Sequence, residues 1–332
     1  MNKPISLRIL DRVVGRAGKV LYKDHMRRLG LRNSMRLSKA YNRRRFASPK
    51  KIHQERFNNS FERLLDENGW SNHHNDSISM NDGYLIDTSR NLPYLEEVIK
   101  DADRIIEQRG NQEPAGITKS HKPFFFELIQ PQDLIECPSF LNFIMSSEIL
   151  AVVGQYMQTI PLLSRSRPPA VRLMKSTDEY DPNPDGIWRE SQNYHLDHHD
   201  DPVVYVIVLV RDVTSRCGPF TILGKADSAE VARQLNYQSH GIPYRVLDEQ
   251  IYSIIDPSRA IEFSYPKGSV LFLESSRCFH YGSRKAVEPR YQLMYAFTTP
   301  CRTDLSEFWA GPVMQTETEK SELRSMVTGL HF

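Results

Sequence analysis

From about residue 162 onward, apolar residues come in short runs broken by Pro, Gly and Asp turns. Val171–Lys175, Val203–Val210, Phe220–Leu223, Tyr252–Ile255, Ala260–Phe263, Val270–Leu273 and Tyr291–Thr299 each read as a strand. Many short strands with turn punctuation predict a mainly β domain with flanking helices, folded as a double-sheet jelly roll. The last run alternates. Period two puts Arg290, Gln292, Met294 and Ala296 on one face and Tyr291, Leu293, Tyr295 and Phe297 on the other.

The pattern is different upstream. Leu95, Val98, Ile99, Ala102, Ile105 and Ile106 recur at helical spacing, and Gly110 follows as a stop, which predicts a helix over 92–110. Ser139 to Met157 reads as a second helix burying Phe140, Phe143, Ile144, Ile149, Leu150 and Val153. Gly83–Ser89 and Phe124–Ile129 read as strands, and the polar stretch 66–82, with His73 and His74, as a linker. Ala226 to Gln238 is expected as a helical insertion with Asp227 as N-cap and Ala229, Val231, Ala232 and Leu235 inward. A last short helix is expected over 316–326. The chain divides into a helical extension (1–65), a β domain with bracing helices (83–302) and a tail (303–332).

Charge changes this picture in one place. Residues 1–56 hold 17 Lys and Arg against 3 Asp and Glu, a balance of +14. The remainder holds 26 against 38, a balance of −12. Ile9, Leu10, Val13, Val14, Val20 and Leu21 fall at helical spacing among the basic residues. The arm fits a helix packed on the body, a helix on an anionic membrane surface, or an Arg-rich presequence, and the residues leave all three open. The basic stretch Arg43–Lys51 comes with no nucleic-acid motif, so nucleic acid is not the expected partner. No run of 18 apolar residues occurs, and Cys137, Cys217, Cys278 and Cys301 lack metal-ligand spacing. A reduced, cytoplasmic protein, peripheral to a membrane if the arm docks there, is the expectation.

The candidate chemistry sits where the apolar run 203–210 begins. His195 and Asp197 are two apart, so on an extended segment their side chains share a face. His280, just after the run 268–273, is the best candidate for a third ligand. Two histidines and a carboxylate on one side of a metal suit non-haem Fe(II) with positions left open. His198 and His199 compete for the same role. Ten residues past His280, Arg290 heads an apolar strand, a costly place for a cation unless it meets an anion. Its fork would accept the distal carboxylate of 2-oxoglutarate. Arg284 is expected in a surface turn instead. Arg172, Met174, Gln192, Tyr194 and Thr221 are candidates to line the site, with Tyr194 and Thr221 beside Arg290 as co-substrate contacts. The acidic group Asp197, Asp200 and Asp201 hints at a cationic substrate or a second ion.

At His195-X-Asp197, His280 and Arg290 the chain resembles the iron(II)/2-oxoglutarate-dependent oxygenases. It is most similar there to the phytanoyl-CoA dioxygenase-like group, which the segment Leu209–Leu223 also resembles. The resemblance covers about residues 170–300. It implies a double-stranded β-helix, Fe(II) on His195, Asp197 and His280, and 2-oxoglutarate and O2 as co-substrates. Hydroxylation of a small organic substrate would release succinate and CO2. Retention of Asp197 argues against halogenation. The pattern departs in two places: Leu223-Gly-Lys-Ala stands where Pro-Gly-Ser-His is common, and Tyr194 where Trp is common. Two other readings keep the fold without this reaction: a catalytically silent binding module, and a metalloenzyme that does not use 2-oxoglutarate.

Overall fold

The computed structural model describes residues 77–112, 122–159, 161–164, 171–180, 182–183, 185–198, 200–239 and 241–299, scattered positions between 32 and 62, and Val327. The expected N-terminal basic helix, most of the 66–82 linker, His199 and the 316–326 helix lie outside the described residues.

The chain forms, in order, β1 (Tyr84–Asp87), α1 (Leu95–Arg109), β2 (Phe125–Glu127), α2 (Pro131–Glu136), α3 (Ser139–Ile144), α4 (Ser147–Met157), β3 (Leu162–Leu163) and β4 (Arg172–Ser176). Then come β5 (Val204–Leu209), β6 (Thr221–Ile222), α5 (Lys225–Gln234), α6 (Asp248–Tyr252), β7 (Ile261–Glu262), β8 (Val270–Glu274), β9 (His280–Tyr281) and β10 (Arg290–Thr298). The large sheet has the order β1-β8-β5-β10-β4-β2, with β3 on the end of β10, and the small sheet β7-β6-β9. Every pairing is antiparallel. An isolated bridge, His195 to His280, extends the small sheet past β9. From β4 the chain crosses to that bridge, back to β5, over to β6 and β7, back to β8, over to β9 and back to β10. Such alternation between two facing sheets is the double-stranded β-helix, as expected.

Alternation along each strand builds two cores. On β5 and β8, Val204, Val206, Val208, Val270 and Phe272 join the helices in one cluster. Ile207, Leu209, Leu271 and Leu273 point the other way, into a cluster shared with Phe220 and Ile222 of the small sheet. The central strands β5 and β8 thus read as near-continuous apolar runs because both faces are covered. Helix α1 buries the predicted stripe, Leu95, Val98, Ile99, Ala102, Ile105 and Ile106, against the outer face. Glu96 and Glu97 open it and Arg109 closes it, as the helix dipole favours. Arg109 also forks onto Asp133 of α2 at 2.5 and 2.9 Å. No helix among the described residues is long and apolar enough to cross a membrane.

Four expectations fail locally. The helix expected over 139–157 is two, because Ser146 takes an extended conformation (φ −64°, ψ 151°) and opens α4. Serines compete for backbone hydrogen bonds and favour helix starts over helix interiors. Tyr252–Ile255 is not a strand. Asp248 and Glu249 fill the first turn of α6, and the Leu247 N–H donates to the Gln250 side chain at 3.1 Å. Ile251, Ile254 and Ile255 have helical spacing that the short run disguised. Helix α5 starts after Gly224, not Asp227. Asp227 pairs with Arg259 at 3.0 Å, Ala229 is exposed, and Ser228 is the residue turned inward.

Ile99 is 1% exposed at the contact of α1 with the large sheet. Ile99→Ala is expected to cost about 2–5 kcal/mol of unfolding free energy, read from urea melts, because the site cannot collapse around the lost methyl groups.

Candidate functional site

The bridge between His195 and His280 of β9 brings the first two ligand candidates together. His195 N–H donates to His280 O, and His280 N–H to His195 O, each at 3.1 Å. The imidazole centroids lie 4.4 Å apart. Each ring's Nδ1 rests 2.9 Å from a carbonyl two residues upstream, Asn193 O for His195 and Cys278 O for His280. A carbonyl only accepts, so each Nδ1 carries the proton and each Nε2 keeps its lone pair. That is the state in which an imidazole binds a metal. Asp197, held by its N–H on Ser275 O at 2.9 Å, places Oδ2 3.6 Å from His280 Nε2. One ligand atom from each of His195, Asp197 and His280 lies within 4.8 Å of the others, and all three residues are buried. Two neutral imidazoles and one carboxylate suit a divalent first-row ion and leave several coordination positions open. Burial, then His280 and Arg245, hold the His195 imidazole well below its usual range, which keeps it neutral.

The triad lines a cavity of about 250 Å³. Its wall includes Met174, Tyr205, Phe220, Tyr244, Gln292 and Met294. Phe220 stacks on His280 at 5.2 Å, and Tyr244 meets His195 and His198 edge-on. Arg290 lines the same cavity and is 3% exposed. Its Nη1 donates to Gly218 O at 2.6 Å, and its Nη2 reaches the hydroxyls of Ser176 and Ser283 at 3.2 and 3.3 Å. Its Nε is buried without a hydrogen-bond partner among the described residues, as is Gln292 Oε1. Those partners are neutral, and no carboxylate among the described residues pairs with the guanidinium. Burial alone pushes Arg290 down to about 10. A buried, uncompensated cation is costly, so the place calls for an anion. Gly282 makes room for the fork: a Cβ there would stand 3.2 Å from Arg290 Nη2.

Of the sequence candidates, His195, Asp197, His280, Arg290, Arg172, Met174 and His198 face the cavity. Tyr194 and Thr221 do not. Tyr194 is packed in a third core, its hydroxyl 2.9 Å from that of Tyr252. Thr221 has the wrong parity on β6: Phe220, its neighbour, takes the cavity face, and Thr221 Oγ1 turns to Pro219 O at 3.4 Å. Gln192 lies behind the wall, donating to Ser283 O at 2.7 Å. Arg284 is no surface residue. It is buried, forked onto Asp248 at 2.7 and 2.9 Å, and stacked 3.4 Å from the Tyr281 ring centre. Nor does the acidic group face the cavity as a unit. Asp200 accepts from Thr299 N at 2.6 Å and Asp201 pairs with Arg277 at 2.8 Å. Lys122, Phe125, Tyr244 and Arg245 line the cavity from segments the pattern marks only as a strand edge and a loop. In the sequence, only the aromatic–basic pair Tyr244-Arg245 stands out there.

No family model matches the chain, and no curated protein matches it. Several solved structures do. The epimerase SnoN in complex with Fe3+, alpha ketoglutarate and nogalamycin RO is 12% identical, with 72% of this chain and 83% of that one covered and a TM-score of 0.43. EctD from S. alaskensis in its apoform gives 13%, 76%, 88% and 0.45. HygX from Streptomyces hygroscopicus with nickel and 2-oxoglutarate bound gives 12%, 66%, 83% and 0.40.

The His195 shift has a consequence for the metal-free protein. As pH falls through 6.5, the usual imidazole value, the unfolded chain takes up a proton that folded His195 refuses. Stability present above that pH is therefore lost below it, at about 1.4 kcal/mol per pH unit for this group. Urea melts from about pH 7 to about pH 5.5 should show the slope, and His195→Gln should reduce it by that amount.

Proposed function

We propose that this chain is a non-haem iron(II) oxygenase that uses 2-oxoglutarate. The observation that carries the reading is one cavity holding both the His195, Asp197 and His280 triad and the buried Arg290. Fe(II) bound there with 2-oxoglutarate supplies oxidative decarboxylation, in which O2 is consumed, succinate and CO2 leave, and one oxygen atom enters a C–H bond of the substrate. His195 and His280 present Nε2 and Asp197 a carboxylate oxygen, so the chain itself contributes a single negative charge to the ion. Arg290 receives the distal carboxylate through its fork, steadied by Gly218 O and the Ser176 and Ser283 hydroxyls. Phe220, Met174 and Met294 supply apolar wall that limits water at the reacting carbon. A cavity of about 250 Å³, just below the usual range for ligand sites of about 300–1,000 Å³, suits a small metabolite. The basic arm would tether the enzyme to an anionic membrane surface.

Anaerobic titration separates the parts. His195→Ala and His280→Ala should each lose most Fe(II) affinity while the melts stay cooperative. Arg290→Ala should leave Fe(II) affinity unchanged and weaken 2-oxoglutarate by about 2–5 kcal/mol, roughly 30-fold to several thousand-fold. Arg290→Lys keeps the charge without the planar fork and should recover part of the loss. The metal-to-ligand absorbance of the Fe(II) complex reads the affinity. A wild type that binds iron but not 2-oxoglutarate would hand the site to a different metalloenzyme. One that binds neither would make it a binding module.

A further inference from the structure

The cavity carries more positive charge than iron and 2-oxoglutarate use. Lys122, Arg172 and Arg245 all line it, in addition to Arg290. They come from three separate segments, and aromatic rings hold each of them. Lys122 Nζ and the Arg172 guanidinium lie 5.6 and 5.3 Å from the Phe125 ring centre, and Arg245 lies 4.6 Å from that of Tyr244. Phe125 and Tyr244 line the cavity themselves. The cations are close enough to feel one another: burial, then Arg245 and Arg172, push the Lys122 ammonium below its usual value.

Two details point these charges at a ligand. Arg245 Nη1 is buried without a hydrogen-bond partner among the described residues, while its other terminal nitrogen, Nη2, makes only a long ion pair to Glu190 at 3.6 Å. The side chain as a whole keeps 25% of its surface open. Arg172 is ion-paired with Glu127 at 2.5 and 2.7 Å, which offsets part of its charge and fixes its guanidinium at the cavity wall. Fixed guanidinium groups and a crowded ammonium in a partly desolvated cavity are a receptor for an oxyanion.

This second cationic group is set apart from the first. In the β4–β10 register, Arg290 pairs with Ser176 and Met294 with Arg172. Four residues along a strand span about 13 Å. Arg290 is turned to Gly218, Ser176 and Ser283 and Arg172 to Glu127, so the two guanidinium groups are placed for different anions, and the other carboxylate of 2-oxoglutarate belongs to the metal. Resting on the oxygenase reading above, we propose that the substrate to be oxidised is itself an anion, a carboxylate or phosphate of small size, whose negative group is received by Lys122, Arg172 and Arg245. The acidic residues that suggested a cationic substrate, Asp200 and Asp201, are engaged elsewhere. The charged group would bind at this wall and present a carbon of its apolar part to the metal.

The test is equilibrium binding, independent of turnover. Hexanoate, hexyl phosphate and hexanamide serve as probes, titrated by calorimetry into the full chain, metal-free and loaded anaerobically with Fe(II) and saturating 2-oxoglutarate. At least one of the two anions should bind about tenfold or more tightly than the amide. Which one does distinguishes a carboxylate from a phosphate substrate. The preference should persist in Arg290→Ala and fall at least about fivefold in Arg245→Gln and in the Lys122→Gln, Arg245→Gln double variant. Glutamine keeps most of the side-chain bulk, and thermal melts confirm folding. Equal binding of anions and amide overturns the proposal. So does a preference that survives the rim variants but vanishes in Arg290→Ala. Affinity for 2-oxoglutarate is followed separately in every variant. Its absence from the wild type removes the oxygenase reading, while the rim's anion preference is still read from the metal-free titrations.

Discussion

The alternation of β10 is the constraint on which the rest depends. It pairs with β5 on one side and β4 on the other, so neither edge can shift register without breaking two ladders. Tyr291, Leu293, Tyr295 and Phe297 are locked into the helix-covered core. Arg290, Gln292 and Met294 are then forced to the opposite face, into the cavity. A one-residue slip would bury Arg290 against α1 and expose four large apolar side chains to the site. The stability of the core thus fixes where Arg290 enters the cavity, and Gly218 O with the Ser176 and Ser283 hydroxyls steadies the guanidinium there.

That also explains how the fold tolerates Arg290. A buried guanidinium with only neutral acceptors around it is strongly disfavoured in isolation. Here the cost is offset by the apolar burial of its strand neighbours on both sides. Gly218, at φ +58°, turns its carbonyl toward Nη1, and a Cβ there would stand 2.6 Å from Arg284 O. Arg284 in turn is neutralised by Asp248, so the two arginines near the cavity floor have different tasks. One braces α6 against the small sheet. The other is left with charge to offer.

The sequence made the large elements legible because their periodicity was long. The α1 stripe, the double-sided runs of β5 and β8, and the alternation of β10 all survive in the structure as read. His195, Asp197 and His280 were legible because two of them are local in sequence and the third follows a strand. Thr221 failed because β6 has only two residues, too few for parity to be read, and Phe220 takes the cavity face. The single helix expected over 139–157 failed because two serines outweigh the flanking apolar periodicity. Of the cationic residues on the cavity wall only Arg172 was a candidate from the strand pattern. Lys122 and Arg245 meet it only through tertiary folding, and each by itself looks like an ordinary surface charge.

The metal triad is preorganised by the backbone more than by side chains. At both histidines the same local device operates: Nδ1–H donates to the carbonyl two residues upstream. Those carbonyls lie in the bends that lead into the His195–His280 bridge, and Ser228 of α5 accepts the Phe279 N–H at 2.8 Å beside it. The tautomer and the ring orientation are therefore set by the backbone on either side of the bridge. No neighbouring carboxylate is needed to orient either ring, so the triad keeps a single negative charge, that of Asp197. With so little negative charge supplied by the protein, a divalent ion held by these three residues would keep net positive charge for further ligands. The bridge, the backbone acceptors and the lone carboxylate leave the triad with little negative charge, and Arg290, Lys122, Arg172 and Arg245 line the same cavity.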